Sequence, residues 1–327
     1  MLLLVVLVIV APVAWFLFEA YPIGGSGAPA MFEVTAGESI AQVVDAMAQK
    51  GIVGSSLAFR IDLMVTGTPS AQPGWYVLPT SSSFSAARNL LVNGPNAHAL
   101  GTYTGQTNLE IAQALSSIAG GTFASRFLDL ARAGSVPSPY QRAPGTSLEG
   151  LVAPGLFVIT KGETPRDLLT QMVRKFDRRA AAAGITPSTS VNGLDAYEIL
   201  TVASIVEKEG YLPLNMPKTA TVIYNRLARG MPLQMDSTVL YATGQDGGTV
   251  THATEQFPSP YNTYLHTGLT PTPICIPSIE ALAAALNPPP GPWLYFTLID
   301  KTSGAMAFAK TFAEQLTNEQ LFAERYG

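Results

Sequence analysis

The chain is poor in charged residues, cysteine and histidine. Asp, Glu, Lys and Arg make up 13% of its 327 residues and the formal net charge is −4, whereas about a quarter of the residues of a typical globular protein are charged. No basic patch is indicated, so we expect no nucleic-acid partner. The one cysteine, Cys275, excludes an intramolecular disulfide, and His98, His252 and His266 lack the spacing of metal ligands. We predict a reaction without metal or cofactor, and a buried, unreactive Cys275.

The N-terminal segment has no charged residue from Met1 to Phe18. As a helix it would span roughly 27 Å, close to the ~30 Å hydrocarbon core of a bilayer. We predict a transmembrane anchor at residues 1–20 and a linker at residues 21–30. A cleaved signal peptide is the alternative, because Ala28-Pro29-Ala30 resembles a small-residue cleavage site. The anchor implies a single-pass protein of the inner or plasma membrane, with the remainder on the extracytoplasmic side.

The pattern of apolar residues after the linker predicts an α+β protein. A strand is predicted at residues 32–34, followed by helices near 40–47, 57–65 and 84–92 and a strand at 75–78. These elements form a small α/β module at residues 31–96, and we assign residues 97–327 to a larger α+β domain.

One short pattern precedes three of the predicted helices. It consists of a glycine, an acidic or amide residue, and Ser or Thr. Gly followed by a hydroxyl residue is a common way to start a helix, which is the simpler interpretation; an internal duplication is the alternative. The three copies are Gly37-Glu38-Ser39, Gly105-Gln106-Thr107 and Gly162-Glu163-Thr164.

The segment from Ala196 to Glu209 is a mostly apolar helix candidate with an acidic end. At about 100° per residue, Glu207 and Glu209 lie on opposite flanks of its apolar stripe. Either carboxylate could be half-buried against that stripe, and periodicity does not choose between them. Acidic residues that merely close a buried helix are the alternative interpretation.

Amide, hydroxyl and aromatic residues cluster downstream of this helix. Aromatic rings stack on sugars, and amides and carboxylates bind sugar hydroxyl groups, so these clusters are typical of a saccharide site. Packing of Tyr261 and Tyr264 in a core, with Asn262 in a turn, is an equally good interpretation of the spacing. The candidate binding residues are Asn225, Gln234, Asp236, Tyr261, Asn262 and Tyr264.

Several of these segments together resemble the endolytic murein transglycosylase family, also called YceG-like. The resemblance is specific after residue 192, and upstream it includes Leu148-Glu149-Gly150-Leu151 followed by Pro154. Residues 32–94 are similar to the LysM-like subdomain of that family. The segments that carry the resemblance are residues 203–209, 224–227, 233–236, 261–264, 268–269 and 294–296.

The resemblance implies a catalytic role for Glu207, the first acidic residue of its run. It implies a membrane-anchored lytic transglycosylase that cleaves the bond between MurNAc and GlcNAc in peptidoglycan and leaves 1,6-anhydroMurNAc ends, with the other six candidates binding substrate. Such an enzyme would terminate or trim nascent glycan strands beside peptidoglycan synthases or division proteins.

Two positions depart from the family pattern near the C-terminus. Met306 and Gln315 stand where histidines are common in the family. These departures leave a second function open, namely a scaffold that binds peptidoglycan without cleaving it. A serine hydrolase that uses Ser204 is a third possibility, but the sequence around Ser204 has no G-x-S-x-G motif.

Overall fold

The computed structural model describes residues 10–24, 27–245 and 247–326. The chain divides into two compact units. The first comprises Met1–Leu100 and Val158–Glu163, and the second comprises Gly101–Phe157 and Thr164–Gly327. The α+β class predicted from the sequence is confirmed.

The first described helix, α1, spans Ala11–Ala20 and lies in the predicted anchor. The other part of that prediction, residues 1–9, lies outside the described residues. Within the described part of the chain, no helix is long and apolar enough to cross a membrane. Helix α1 packs within the first unit: Phe16 makes an edge contact with Phe84, with 5.9 Å between ring centroids, and Ala20 is buried.

The first unit is built on an antiparallel pair of strands with helices between them. Strand β1 (Pro29–Val34) is followed by α2 (Ile40–Gln49), α3 (Ser56–Thr66), β2 (Gly74–Pro79) and α4 (Phe84–Asn93). Strands β1 and β2 pair from Pro29 opposite Pro79 to Val34 opposite Gly74. The strands and helices predicted in this region are therefore confirmed, and β1 begins inside the segment that was predicted as linker.

Two further strands complete the sheet. Strand β3 spans Ala97–Thr102 and β4 spans Gly155–Thr160, and the strand order is β1-β2-β3-β4. The chain crosses between the two units within β3 and again within β4. Residues 158–163 thus belong to the first unit, although the sequence assigned all of 97–327 to the second.

The second unit is mainly helical. Helices α5 and α6 precede β4, a set of six helices follows it, and a β-hairpin and a last helix end the chain. The helices are α5 (Asn108–Ala119), α6 (Gly121–Arg132), α7 (Pro165–Ala182), α8 (Ala196–Glu209), α9 (Met216–Ala228), α10 (Asp236–Thr243), α11 (His252–Glu255), α12 (Ile279–Leu286) and α13 (Phe312–Tyr326), and the hairpin is β5 (Tyr295–Asp300) with β6 (Ala305–Ala309).

The repeated pattern marks three strand-to-helix turns of the same geometry. Ser39, Thr107 and Thr164 are the N-caps of α2, α5 and α7, and each forms a capping box. The glycine two residues before each cap has a positive φ, between 80° and 92°, which explains why glycine recurs there. The structure confirms that a helix begins after each copy of the pattern. Common helix-start chemistry and an internal duplication would both produce this geometry.

Helix α8 is the central helix of the second unit. It packs against α9, α10 and α12, and every residue from Ile199 to Val206 is buried. Ser204 is fully buried, with its hydroxyl donating to the carbonyl of Thr201 at 2.8 Å and accepting from the amide of Ile274 at 3.0 Å. It is a structural residue, so the geometry contradicts a serine hydrolase. Cys275 is also fully buried, as predicted.

Candidate functional site

The two acidic residues at the end of α8 have different surroundings. The helix begins at the N-cap Asp195, which forms a capping box with Glu198, and it ends at Gly210. A side chain at Gly210 would be 2.6 Å from Met216 Cγ, so α9 approaches α8 closely only because this residue is glycine. This close packing fixes the last turn, which carries Glu207 on one flank and Glu209 on the other.

Glu207 points to the start of another helix. Its Oε2 atom accepts a hydrogen bond of 2.9 Å from the amide of Ser278, the N-cap of α12. A carboxylate at this end of a helix is favoured by the helix dipole and by the unpaired amides there. The predicted catalytic residue thus joins α8 to α12 and does not line the cavity described next.

Glu209 lies in a cavity of about 500 Å³, which we call the Glu209 cavity. Its Oε1 atom accepts from both the amide and the hydroxyl of Ser237, at 3.0 and 2.6 Å. Within the described part of the chain, Oε2 accepts no hydrogen bond from a side chain or amide. One oxygen therefore orients the carboxyl and the other is available to a ligand.

The pKa of the Glu209 carboxyl is raised, mainly because burial removes water from the charged form. Its hydrogen bonds to Ser237 and the positive charge of Arg226 oppose this shift, whereas the negative charge of Asp236 adds to it. Burial has the largest effect. Glu209 therefore holds a proton to higher pH than an ordinary glutamate.

Arg226 is a buried cation beside Glu209. Its Nε donates to the carbonyl of Leu294 at 2.7 Å, its Nη1 donates to the carbonyl of Leu233, and its guanidinium lies over the ring of Tyr295. Carbonyl oxygens and an aromatic face carry no full negative charge, so the positive charge of Arg226 is not neutralised by its own partners. It remains directed in part at the Glu209 carboxyl.

Three of the predicted substrate-binding residues also line the Glu209 cavity. These are Gln234, Asp236 and Tyr264. The Tyr264 hydroxyl donates to Asp236 Oδ1 at 2.6 Å, so the tyrosine and the carboxylate form one polar group on the cavity wall. The cavity thus combines a half-buried acid, an exposed carboxylate, an amide and aromatic rings.

Asn225 and Asn262 are held in structural contacts. Asn225 donates from Nδ2 to the carbonyls of Gly291 and Trp293, at 2.9 and 2.8 Å. Asn262 is fully buried, donates to the carbonyls of Glu255 and Phe257, and accepts from the amide of Tyr264. Neither lines the Glu209 cavity, so the structure favours the turn interpretation for Asn262.

Tyr261 is the remaining predicted binding residue, and it lines a second cavity. Its ring contacts that of Tyr241, with 4.9 Å between centroids, and its hydroxyl is 3.0 Å from Thr272 Oγ1. Of the seven predicted site residues, Gln234, Asp236 and Tyr264 are therefore together in the Glu209 cavity, whereas Tyr261 lies elsewhere in the same unit.

The far wall of the Glu209 cavity comes from the C-terminal hairpin and α13. Sequence reasoning did not assign these residues to a site, although it singled out Met306 and Gln315, which both line this wall. Gln315 is 6% exposed; its Nε2 donates to the carbonyl of Phe296 and to Glu319, and its Oε1 is buried without a partner in the described chain. The departures from the family pattern thus face the cavity itself.

Backbone strain is concentrated at this cavity. Four described residues other than glycine have a positive φ, and two of them, Tyr211 at 57° and Gln234 at 50°, line the cavity. Residues in this conformation persist only where their surroundings hold them, and they are frequent at functional sites. The backbone amide of Gln234 donates to the carbonyl of Thr263 at 3.0 Å.

The chemistry of the cavity is that of an acid and base. Among the described residues, no group of three or more His, Cys, Asp or Glu side chains is placed to hold a metal ion. A carboxyl with a raised pKa and one unoccupied oxygen can donate a proton to a bound oxygen atom and then accept one. Gln234, Asp236 and Tyr264 supply hydrogen bonds that can orient a hydroxyl-rich ligand.

Comparisons with known proteins identify relatives of the chain. The sequence model of the YceG-like family matches residues 32–321. An endolytic murein transglycosylase of Bacillus subtilis is 28% identical over 297 residues, which cover 86% of this chain and 81% of that protein. An endolytic murein transglycosylase of Streptococcus pneumoniae is 35% identical over 167 residues, which cover 50% of this chain and 30% of that protein.

A solved structure is also similar. The crystal structure of a YceG-like protein from Listeria monocytogenes has a TM-score of 0.59 and 25% sequence identity, and the match covers 89% of this chain and 99% of that chain. The matched region includes most of both units and all residues of the Glu209 cavity. The resemblance inferred from the sequence is confirmed, and the chain belongs to the YceG-like family.

Proposed function

We propose that this protein is a peptidoglycan lytic transglycosylase and that Glu209 is its general acid and base. The observation that carries this proposal is a carboxyl whose pKa is raised by burial, with one oxygen available, in a cavity of about 500 Å³. That volume is within the range of small-molecule sites. The activity itself is supported by the relatives, two of which are named endolytic murein transglycosylases.

The reaction needs only one protein carboxyl because the substrate supplies the nucleophile. Protonated Glu209 donates its proton to the glycosidic oxygen between MurNAc and GlcNAc, and the bond from that oxygen to C1 of MurNAc breaks. The 6-hydroxyl oxygen of the same MurNAc bonds to C1, and its proton passes to the Glu209 carboxylate. The products are a new GlcNAc hydroxyl and a 1,6-anhydroMurNAc end, and Glu209 is protonated again.

The neighbouring groups have separate roles in this mechanism. Gln234, Asp236 and Tyr264 bind sugar hydroxyl and acetamido groups and so position the bond at Glu209. Arg226 stabilises the carboxylate that forms after the first proton transfer, since its charge favours ionised Glu209.

A glycan hydrolase is the second candidate, because the Glu209 cavity also contains Asp236. A glycosidase needs a second carboxylate to activate water or to attack the sugar. In this protein the Tyr264 hydroxyl donates to one oxygen of Asp236 at 2.6 Å, so that oxygen is already occupied, which favours a binding role. We therefore place the transglycosylase first.

The products distinguish these functions. Purified full-length protein is expected to release fragments with 1,6-anhydro ends from peptidoglycan, each lighter by one water than the hydrolytic fragment, as measured by mass spectrometry. Reducing ends instead would identify a hydrolase. Binding to peptidoglycan with neither product would identify the scaffold that the changes at Met306 and Gln315 left open.

We infer further that the first unit is a LysM-like, glycan-binding module behind a membrane anchor. Support comes from its strand, two helices and antiparallel strand, and from the uncharged run Met1–Phe18. Such a protein would act on the extracytoplasmic side of the membrane, on nascent strands beside synthases or division proteins.

The anchor is tested by fractionation. The full-length chain is expected to stay with membranes after an alkaline wash, whereas a matched chain that starts at Met31 should be released. If the mature protein is instead soluble and begins after Ala30, the segment is a cleaved signal peptide.

A further inference from the structure

The second unit contains another cavity, of about 660 Å³, which we call the Tyr241 cavity. It is lined by residues of α5, α6 and α10 and by residues 259–261, and it shares no residue with the Glu209 cavity. The mechanism proposed above does not use it. Its size is nonetheless within the range of small-molecule sites.

The two cavities lie at opposite ends of the same two segments. Asp236 at the start of α10 lines the Glu209 cavity, and Leu240 and Tyr241 near its end line the Tyr241 cavity. Asp236 and Leu240 are four residues apart, so one face of α10 leads from one cavity to the other. The rise from Asp236 to Tyr241 is roughly 8 Å.

The segment 259–264 runs beside α10 in the same way. Tyr264 lines the Glu209 cavity, and Tyr261 lines the Tyr241 cavity. The two segments are joined between the cavities by the buried hydroxyl groups of Thr238 and Thr263, which are 2.9 Å apart. This contact fixes the position of the two segments, and with it the spacing of the two cavities.

The walls of the Tyr241 cavity have the chemistry of a saccharide site. Tyr241 and Tyr261 are half-buried. Their ring centroids are 4.9 Å apart and their ring planes are inclined by 50°, so the two rings offer apolar faces in different directions. Glu149 is 6% exposed; it accepts from the amide of Asn108 at 2.9 Å and from the Tyr241 hydroxyl at 3.2 Å. Its carboxyl therefore fixes the orientation of the Tyr241 ring.

The charges at this cavity favour an uncharged ligand. Glu110, Glu149 and Arg132 are the charged residues on the lining. Burial raises the pKa of Glu149 to about 7, so this carboxyl can donate a hydrogen bond as well as accept one near neutral pH. With Glu149 partly protonated, the negative charge of Glu110 and the positive charge of Arg132 offset each other, so the cavity favours a neutral sugar with hydroxyl and acetamido groups over an ion.

We propose that the Tyr241 cavity is a second saccharide subsite, which binds an N-acetylated sugar of the same glycan strand whose bond is held at Glu209. This inference rests on the proposed function. Occupation of both cavities by one strand makes the enzyme favour longer strands, because each added contact is made without a second loss of translational freedom.

Oligomers of β-1,4-linked N-acetylglucosamine test this subsite. The probe lengths are two to six sugars, and titration calorimetry measures their dissociation constants with the Glu209→Gln protein, so that cleavage does not interfere. Affinity is expected to rise with length in this protein. Adding Tyr241→Ala should remove this gain. The dissociation constant of the longer oligomers should rise about tenfold, the effect of losing one aromatic contact, while that of the shortest oligomer should not change.

Two further variants make the test independent of folding. Gln113→Trp places a bulky group on the exposed rim of the cavity and should abolish the gain without removing a buried contact. Tyr103→Ala is the matched control, since Tyr103 is 62% exposed and lines neither cavity. Equal losses for short and long oligomers, or a length gain that survives both Tyr241→Ala and Gln113→Trp, would overturn the proposal.

The outcome is separable from that of the proposed function. Release of 1,6-anhydro products by the unmodified protein, without any gain of affinity with length, would reject the subsite and retain the enzyme. A length gain that Tyr241→Ala removes, without any product from the unmodified protein, would retain the saccharide site and reject the enzyme.

Discussion

Replacing Glu209 with glutamine is expected to lower the rate of glycan cleavage by a factor of about 10² to 10⁴, the usual contribution of general acid and base catalysis. Glutamine keeps the size of the side chain and can still accept from Ser237, so the fold of the last turn of α8 should be retained. The measurement is the initial rate of release of 1,6-anhydro fragments from purified peptidoglycan.

Glu207→Gln is the matched control for this prediction. It makes the same chemical change two residues away on the same helix, and glutamine can still accept from the Ser278 amide. We expect its rate to stay within about tenfold of the unmodified protein, since Glu207 does not line the cavity. If Glu207→Gln is inactive and Glu209→Gln is active, the catalytic residue is Glu207, as the family resemblance implied.

The pH profile adds an independent check on Glu209. A general acid must be protonated before it reacts, so kcat/KM falls as pH rises through the pKa of the free enzyme's acid. Because burial raises the pKa of Glu209, this fall should occur above the pH at which an ordinary glutamate ionises. A basic limb at the pKa of an exposed carboxylate would contradict the role of Glu209.

Replacing Glu149 with glutamine is expected to remove a loss of about 3 kcal/mol in the free energy of unfolding that the unmodified protein undergoes as pH rises from about 4.5 to about 7. Burial raises the pKa of this carboxyl from 4.5 to about 7. Between these values the folded protein binds more protons than the unfolded chain. The contribution of Glu149 is therefore fully present below about pH 4.5, is lost as pH rises to about 7, and stays lost above it.

Glutamine at position 149 does not titrate, so the variant does not lose this stability as pH rises. The stability of Glu149→Gln relative to the unmodified protein should increase by about 3 kcal/mol from pH 4.5 to pH 7.5, or roughly 6–12 °C in Tm for a unit of this size. Calorimetric melting of both proteins across this range measures the difference, in which the titration of other groups cancels. A difference that does not change with pH would contradict the buried, proton-holding state of Glu149.

Local patterns predicted the secondary structure of the first unit well. The helix that begins after Ser39 could be placed because its cap, its glycine and its apolar spacing all lie within a few residues. Local patterns could not predict that residues 158–163 belong to the first unit. It depends on strand pairing between distant parts of the chain, which no local pattern encodes.

The site shows the same division between local and distant causes. Helical periodicity placed Glu207 and Glu209 on two flanks of α8, but their environments come from Ser278 and Ser237, which are 71 and 28 residues away. For the same reason Asn262, which resembled a sugar ligand in its sequence context, is used inside a turn. The types of residue that form the site were predictable, whereas their individual roles were decided by packing.

The hydrogen bond between Glu207 and Ser278 also affects Glu209, two residues further along the helix. Helix ends fray, because their last carbonyl groups have no partner within the helix. The hydrogen bond from the last turn of α8 to the start of α12 restricts that fraying, and with it the movement of the Glu209 carboxyl. Under the proposed mechanism, Glu207 therefore holds the end of the helix in position, while Glu209 transfers the protons.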